Sequence, residues 1–245
     1  MRRATLADRT GRPVATYEAA GTRGGRPWAD FLEPEPGVAR DDVVAAALGR
    51  LAGWAVSASP DLGAALVARG ATPARHSHVL SLDLLASPRP EPPAPAGVVI
   101  EPFERVEADL ERANEAAYPP GHPDHLPAGS LEDLVHLAAG PVVGPLLACS
   151  RVARRDGRAI GAAMVTQDDR PGPVGGPWLA ELFRDPRDPG PGTGAALLGA
   201  AIAAARADGL ERLGLAVTDG NRARGLYAAA GFELVISTLT VTLPG

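Results

Sequence analysis

Residues 86–97, Ala-Ser-Pro-Arg-Pro-Glu-Pro-Pro-Ala-Pro-Ala-Gly, carry proline at nearly alternate positions. Proline lacks a backbone N–H and fixes φ, so this stretch is barred from helix and sheet interiors and favours extended polyproline geometry. It reads as a semi-rigid linker between an N-terminal part, residues 1–85, and a longer part, residues 98–245. Any fold for the chain must therefore be assembled from elements on either side of this interruption.

The two sides resemble one another in a fixed order. Leu6-Ala-Asp-Arg-Thr-Gly-Arg-Pro-Val14 matches Val152-Ala-Arg-Arg-Asp-Gly-Arg-Ala-Ile160, each reading as a hairpin with Gly11 or Gly157 in the turn. Pro27-Trp28 through Glu33-Pro34 echoes Pro177-Trp178 through Asp185-Pro186, Gly53–Ser57 matches Gly214–Thr218, and Leu62–Gly70 matches Ala223–Gly231. Four collinear matches indicate an internal repeat. The first copy lacks a glycine-rich turn after its Pro-Trp strand, and Pro60 and Leu66 stand where the second copy has Asn221 and Tyr227. The first half is expected to keep a scaffold without a site.

Composition excludes several classes. Hydrophobic residues make up 45% of the 245, enough for a globular core. All 24 basic residues are Arg, which removes lysine chemistry, including a Walker lysine. A net charge of −5 argues against a general nucleic-acid surface. The small-apolar run at 195–205 is too short to span a membrane, and the N-terminus has no apolar signal core. Cys149 is the only cysteine, so no intrachain disulfide forms; it reads as a small buried residue in a cytoplasmic protein.

Periodicity in the second part predicts a strand at 98–101, helices at 104–118 and 130–137, and a hairpin at 148–167. It then predicts strands at 178–183, 213–217 and 233–243, with helices at 195–207 and 222–230. Ser130-Leu-Glu-Asp133 resembles a capping box. Such alternation indicates a mixed α/β sheet. Between a strand and a helix lies Arg184-Asp-Pro-Arg-Asp-Pro-Gly190-Pro-Gly192-Thr-Gly194. Glycines there allow close backbone approach, and the helix N-terminus favours a phosphate. A Walker loop lacks its Gly-Lys-Ser/Thr, and a dinucleotide fingerprint is interrupted by Pro191, although Glu211 stands near the ribose-acid spacing.

Gly192 and Gly194, followed by Asn221-Arg-Ala-Arg-Gly-Leu-Tyr227-Ala-Ala-Ala-Gly231-Phe232, resemble the pyrophosphate loop and the Asn…Leu-Tyr…Gly-Phe signature of the GNAT acyltransferase superfamily. Pro189 stands where that loop usually has Arg or Gln. The resemblance implies a GNAT fold over residues 98–245, preceded by a truncated GNAT-like half-domain. It implies acetyl-CoA (or another acyl-CoA) as cofactor, with its pyrophosphate on Pro189, Gly190, Gly192, Thr193 and Gly194. The pantetheine would lie along the backbone at Leu182, Phe183 and Arg184, with Asn221 and Tyr227 also at the cofactor. It further implies direct attack of a small-molecule or peptide amine on the thioester, without a covalent enzyme intermediate and with no metal. Tyr227 would then protonate the leaving thiolate, unless it is a core aromatic. Glu181, acidic within an apolar strand, is a candidate base or an outward-facing residue. His122, Asp124 and His125 fall where an acceptor loop belongs; a metal reading of these three is weak. His76 and His78 read as structural. A homodimer is compatible with all of this. Two other classes stay open: a non-catalytic acyl-CoA-binding module, and nucleotide-dependent oxidoreduction.

Overall fold

The computed structural model describes residues 2–23, 25–125, 134–140, 144–168 and 175–245. In chain order the elements are β1 (Arg2–Ala7), β2 (Pro13–Arg23), β3 (Arg26–Pro34), α1 (Arg40–Arg50), β4 (Ala55–Ala58), α2 (Pro60–Val67), β5 (Thr72–Asp83), β6 (Val98–Pro102), α3 (Ala108–Ala117), α4 (Leu134–Ala139), β7 (Arg151–Arg155), β8 (Arg158–Asp168), β9 (Gly176–Arg184), α5 (Thr193–Ala207), β10 (Arg212–Thr218), α6 (Ala223–Ala230) and β11 (Glu233–Thr242). They make two compact units, residues 1–78 with 236–245, and residues 79–235. This division differs from breaks at 85 and 98: the end of β11 lies in the first unit, and the end of β5, with the whole proline-rich segment, in the second. Among the described residues no helix is long and apolar enough to cross a membrane. The expected capping box at 130–133 lies outside the described residues.

In the first unit the strand order is β1-β2-β3-β4-β11. The β1–β2 turn forms because Asp8 accepts the Thr10 and Arg12 N–H groups at 2.8 and 3.1 Å while Gly11 takes φ 89°. β3 and β4 run parallel and pair at Trp28–Ala55, Ala29–Val56 and, past a bulge, Leu32–Ala58. Val43, Ala47, Leu62 and Leu66 of α1 and α2 pack on Val14 and Val56. Ser59 caps α2 by accepting the Leu62 N–H at 3.4 Å, with Pro60 in the first turn.

Asp30 on β3 is 7% exposed and stands opposite Glu18 of β2. Burial outweighs its bonds to Ser57 and the Phe31 N–H and pushes its carboxyl up to about 6. The folded chain thus holds a proton that the unfolded chain, with an Asp near about 3.9, has already released. Stability is expected to fall as pH rises from about 4 to about 6, and to stay lower above that window. A shift of about two units corresponds to roughly 3 kcal/mol. Asp30→Asn is expected to flatten this slope and to add about 1–3 kcal/mol near pH 7. Urea unfolding at pH 4.5 and 7.5 measures both, and an unaltered slope in the variant would refute the assignment.

The second unit has the order β5-β10-β9-β8-β7-β6. Its hairpin turn is Asp156-Gly157, with φ of 51° and 78°, as a two-residue turn of this hand requires. β8 is buried on both faces: Ala162 and Met164 pack with Leu110 and Ala113 of α3, while Ala163 and Val165 pack with Leu197 and Ala201 of α5. α3 begins four residues later than its apolar spacing suggested, and it buries Leu110 and Ala113. The sheet is thus mixed and covered by helices on both faces, the α/β architecture that the strand–helix alternation implied.

The proline-rich segment is docked rather than free. Arg89 Nη1 donates to the Ala229 carbonyl at 2.8 Å, at the end of α6. Arg206 of α5 donates to the Leu84 and Ala86 carbonyls at 2.5 and 2.7 Å. A Cβ on Gly199 would come within 2.7 Å of Pro92, so only glycine admits the segment there. Pro88–Pro92, α5 and α6 enclose a largely apolar cavity of about 310 Å³.

Candidate active site

β9 and β10 run parallel, and their ladder comprises the Gly214–Trp178 pair, close to the N-terminal end of each strand. A Cβ on Gly214 would lie 2.6 Å from the Trp178 ring, so glycine is required for the indole to cover the strand there. A register shift against β8 between Met164 and Val165 inserts an extra residue, Ala180, into β9. The bulge interrupts regular pairing immediately before Glu181.

Around Glu181 gather residues from four elements. Tyr118, the C-cap of α3, donates its hydroxyl to Glu181 Oε2 at 2.9 Å and approaches the Leu182 carbonyl at 3.4 Å. Asp124 accepts the Thr218 hydroxyl at the end of β10 and the Asn221 Nδ2 at 2.6 Å. Asn221 Oδ1 in turn accepts the Ala223 N–H at 2.8 Å, so this side chain also caps the α6 turn. Tyr227 is buried on α6, edge-on to Phe232 with ring centroids 5.8 Å apart. Burial, then the charges of Glu181 and Asp124, raise the Tyr227 hydroxyl above its ordinary value. Burial and Glu181 likewise push the Tyr118 hydroxyl up. Both phenols therefore keep their protons at neutral pH.

The two loop histidines shape the 118–125 segment. Asp124 N–H donates to His122 Nδ1 at 3.1 Å, and His125 Nδ1 bonds the Tyr118 carbonyl at 2.7 Å. His122 is half-buried against the Tyr118 ring at 5.1 Å, whereas His125 is exposed. Asp124 reaches Asn221 from this loop. Cys149 is fully buried, and burial raises its thiol to about 11, which suits a packing residue. His78 is buried and bonds Ser237 at 2.9 Å.

The glycine loop leads into α5. Gly190 and Gly192 have φ of 98° and 106°, and Gly192 is the N-cap, with no side-chain cap bond to the first turn. Beneath it the Thr193 hydroxyl is buried with no hydrogen-bond partner. Backbone donors without a side-chain acceptor, together with an orphan hydroxyl, suit an anion such as a pyrophosphate. A Cβ on Gly194 would lie 3.9 Å from Leu226 of α6, which places the start of α5 beside the helix that carries Tyr227. Pro189 is exposed and offers its carbonyl to Arg155, while Arg184 bonds the Asp185 and Asp188 carbonyls. Phe183 points into the core with α3 and α4, so only its backbone is available to a ligand; Leu182 borders the opposite cluster.

Sequence reasoning missed the residues that hold this loop. Asp185 and Asp188 are both buried; Asp185 accepts from Arg187 and Arg158, and Asp188 pairs with Arg155 at 2.9 and 3.2 Å. The repeated Asp-Pro pairs were the available signal, because Asp185 makes an Asx turn to the Arg187 N–H at 2.9 Å. Tyr118 and Thr218 were also passed over, since nothing in their local sequence marks their partners.

A model of the Acetyltransferase (GNAT) family matches residues 105–232, more than half of the chain, and the chain belongs to that family. The class is thus that of the acyltransferases. Among solved structures, a GCN5-related N-acetyltransferase from Sphaerobacter thermophilus is 18% identical with a TM-score of 0.64, covering 98% of this chain and 79% of that one. One from Kribbella flavida is 19% identical with a TM-score of 0.59, covering 100% and 90%. A tandem GNAT protein from the clavulanic acid biosynthesis pathway is 17% identical, with a TM-score of 0.52 over 95% and 79%. At these identities the likeness concerns the fold. No curated protein matches the sequence.

Proposed function

We propose that the protein transfers an acetyl or other acyl group from acyl-CoA to a primary amine by direct attack. The observation that carries this reading is the α5 N-terminus, where the left-handed Gly192 cap and the orphan Thr193 hydroxyl suit a pyrophosphate. Gly190, Gly194 and Pro189 would complete that cradle, with the Leu182, Phe183 and Arg184 backbone and Asn221 along the pantetheine. When bound, acyl-CoA supplies an acyl group activated as a thioester.

The chain's own residues have separable tasks. Glu181 takes a proton from the incoming ammonium, directly or through water. A backbone N–H of β9 next to the bulge stabilises the developing oxyanion. As the C–N bond forms and the C–S bond breaks, Tyr227 Oη gives its proton to the departing sulfur. Burial, and then the charges of Glu181 and Asp124, oppose that donation by raising the Tyr227 hydroxyl. A cationic acceptor would offset the two charges and leave the contribution of burial in place. Asp124, His122 and His125 are proposed to hold the acceptor. The lone, buried Cys149 fits a reducing cytoplasmic setting.

The test is thiol release from acetyl-CoA with a panel of amines: amino acids, diamines, aminoglycosides and a peptide with a free N-terminus. Turnover with at least one amine is expected. Acetyl-CoA binding without turnover on any amine would instead identify an acyl-CoA-binding module. Binding of NADH but of no acyl-CoA would overturn the reading.

A further inference from the structure

Tyr118 has no part in the chemistry described above, yet it contacts Glu181, His122 and His125 on the acceptor side. Its hydroxyl donates to Glu181 Oε2 at 2.9 Å, its ring meets His122 edge-on at 5.1 Å, and its carbonyl holds His125 Nδ1 at 2.7 Å. As the C-cap of α3, with its N–H bonded to the Asn114 carbonyl at 3.2 Å, it is anchored on a helix whose Leu110 and Ala113 are fully buried. A side chain fixed this way transmits the position of α3 both to the carboxylate on β9 and to the loop that carries Asp124.

We infer that Tyr118 is a positioning residue that fixes the rotamer of the Glu181 carboxylate and the path of residues 119–125 together. The inference rests on the reading of Glu181 as base. The hydrogen bond from the Tyr118 hydroxyl to Oε2 narrows the rotamers open to the Glu181 carboxylate and so sets its aim towards the acceptor side. The hydroxyl serves Glu181, while the ring and carbonyl serve the loop. Removing the oxygen alone is expected to disturb the base and leave the loop.

Two measurements test this. The first needs no turnover. Three tyrosines are present, so in a Tyr227→Phe background the phenolate absorbance reports Tyr17 and Tyr118. The groups facing Tyr118 are Glu181, Tyr227 (absent in this background), Asp124 and the ring of His122. Glu181→Gln is expected to move one of the two titrations down towards the ordinary tyrosine range, and Tyr118→Phe to delete it. Neither titration moving would show that the Tyr118–Glu181 contact is absent in solution and overturn the inference.

The second measurement is a double-mutant cycle, using acetyl-CoA and the panel amine that the wild type acylates fastest. Tyr118→Phe is expected to lower kcat about 10- to 100-fold, with KM for acetyl-CoA and the melting temperature nearly unchanged. In a Glu181→Gln background the same change is expected to add little, because Tyr118 acts through Glu181. Fully additive losses, or a loss tracking melting temperature, would make Tyr118 a packing residue. If no amine turns over while the phenolate titration behaves as expected, the acyltransferase reading fails and the Tyr118–Glu181 contact stands.

Discussion

Tyr227→Phe is expected to lower kcat by about 10²–10⁴, the range for loss of a general acid. The substitution keeps the ring that lies edge-on to Phe232 and removes the only proton the side chain can give. Acetyl-CoA affinity and melting temperature are expected to change little, since a single hydroxyl contributes about 1 kcal/mol net. An unchanged kcat with a raised KM for acetyl-CoA would make Tyr227 a binding residue. Tyr227→Ala also deletes a buried ring and is expected to cost about 3–5 kcal/mol, so only the Phe variant isolates the proton. Normal turnover by that variant would remove Tyr227 from the mechanism. In the wild type, turnover is not expected to fall through loss of this proton up to about pH 9, because burial keeps the Tyr227 phenol protonated there.

Acetyl-CoA at about 100 times its Kd is expected to stabilise the chain by about 2.7 kcal/mol. For a protein of this size that corresponds to a melting shift of roughly 5–10 °C, whereas NADH and ATP should give none. Calorimetry should count one acetyl-CoA per chain. In the first unit β3 and β4 pair at Trp28–Ala55, Ala29–Val56 and, past a bulge, Leu32–Ala58. The first unit also has Pro60 and Leu66 in place of the Asn and Tyr of the second, and Ser59 supplies its α2 cap. Two sites per chain would mean that the halves are functionally equivalent. No shift with any acyl-CoA would remove the acyltransferase reading itself.

Local chemistry made much of this protein legible in its sequence. Gly190 and Gly192 sit between strand and helix as their spacing required, with the positive φ that glycine alone tolerates easily, and Gly194 falls in the first turn of α5. The Asp156-Gly157 turn, the buried face of α3 and the Asn221 cap all follow from interactions within a few residues. The family signature at Asn221–Phe232 is of the same kind, and it led to the family to which the chain belongs.

Longer-range partners were not legible. Asp185 and Asp188 read as loop punctuation, yet they are buried and held by Arg155 and Arg158 of the neighbouring hairpin. The proline-rich segment 86–97 was readable as extended backbone, because proline fixes φ locally. Its seat against Gly199 and the end of α6 depends on a missing Cβ more than a hundred positions away. In the same way, Glu181 alone could face solvent or a site; the α3 C-cap decides, by bringing the Tyr118 hydroxyl to it across 63 positions. The sequence by itself thus determined the elements, the turns and the glycine loop before α5, whose causes are short-range sterics and hydrogen bonds. Only the tertiary structure decided which strand ends share a unit and which carboxylate meets which hydroxyl, because those pairings are chosen by packing between elements distant in the chain.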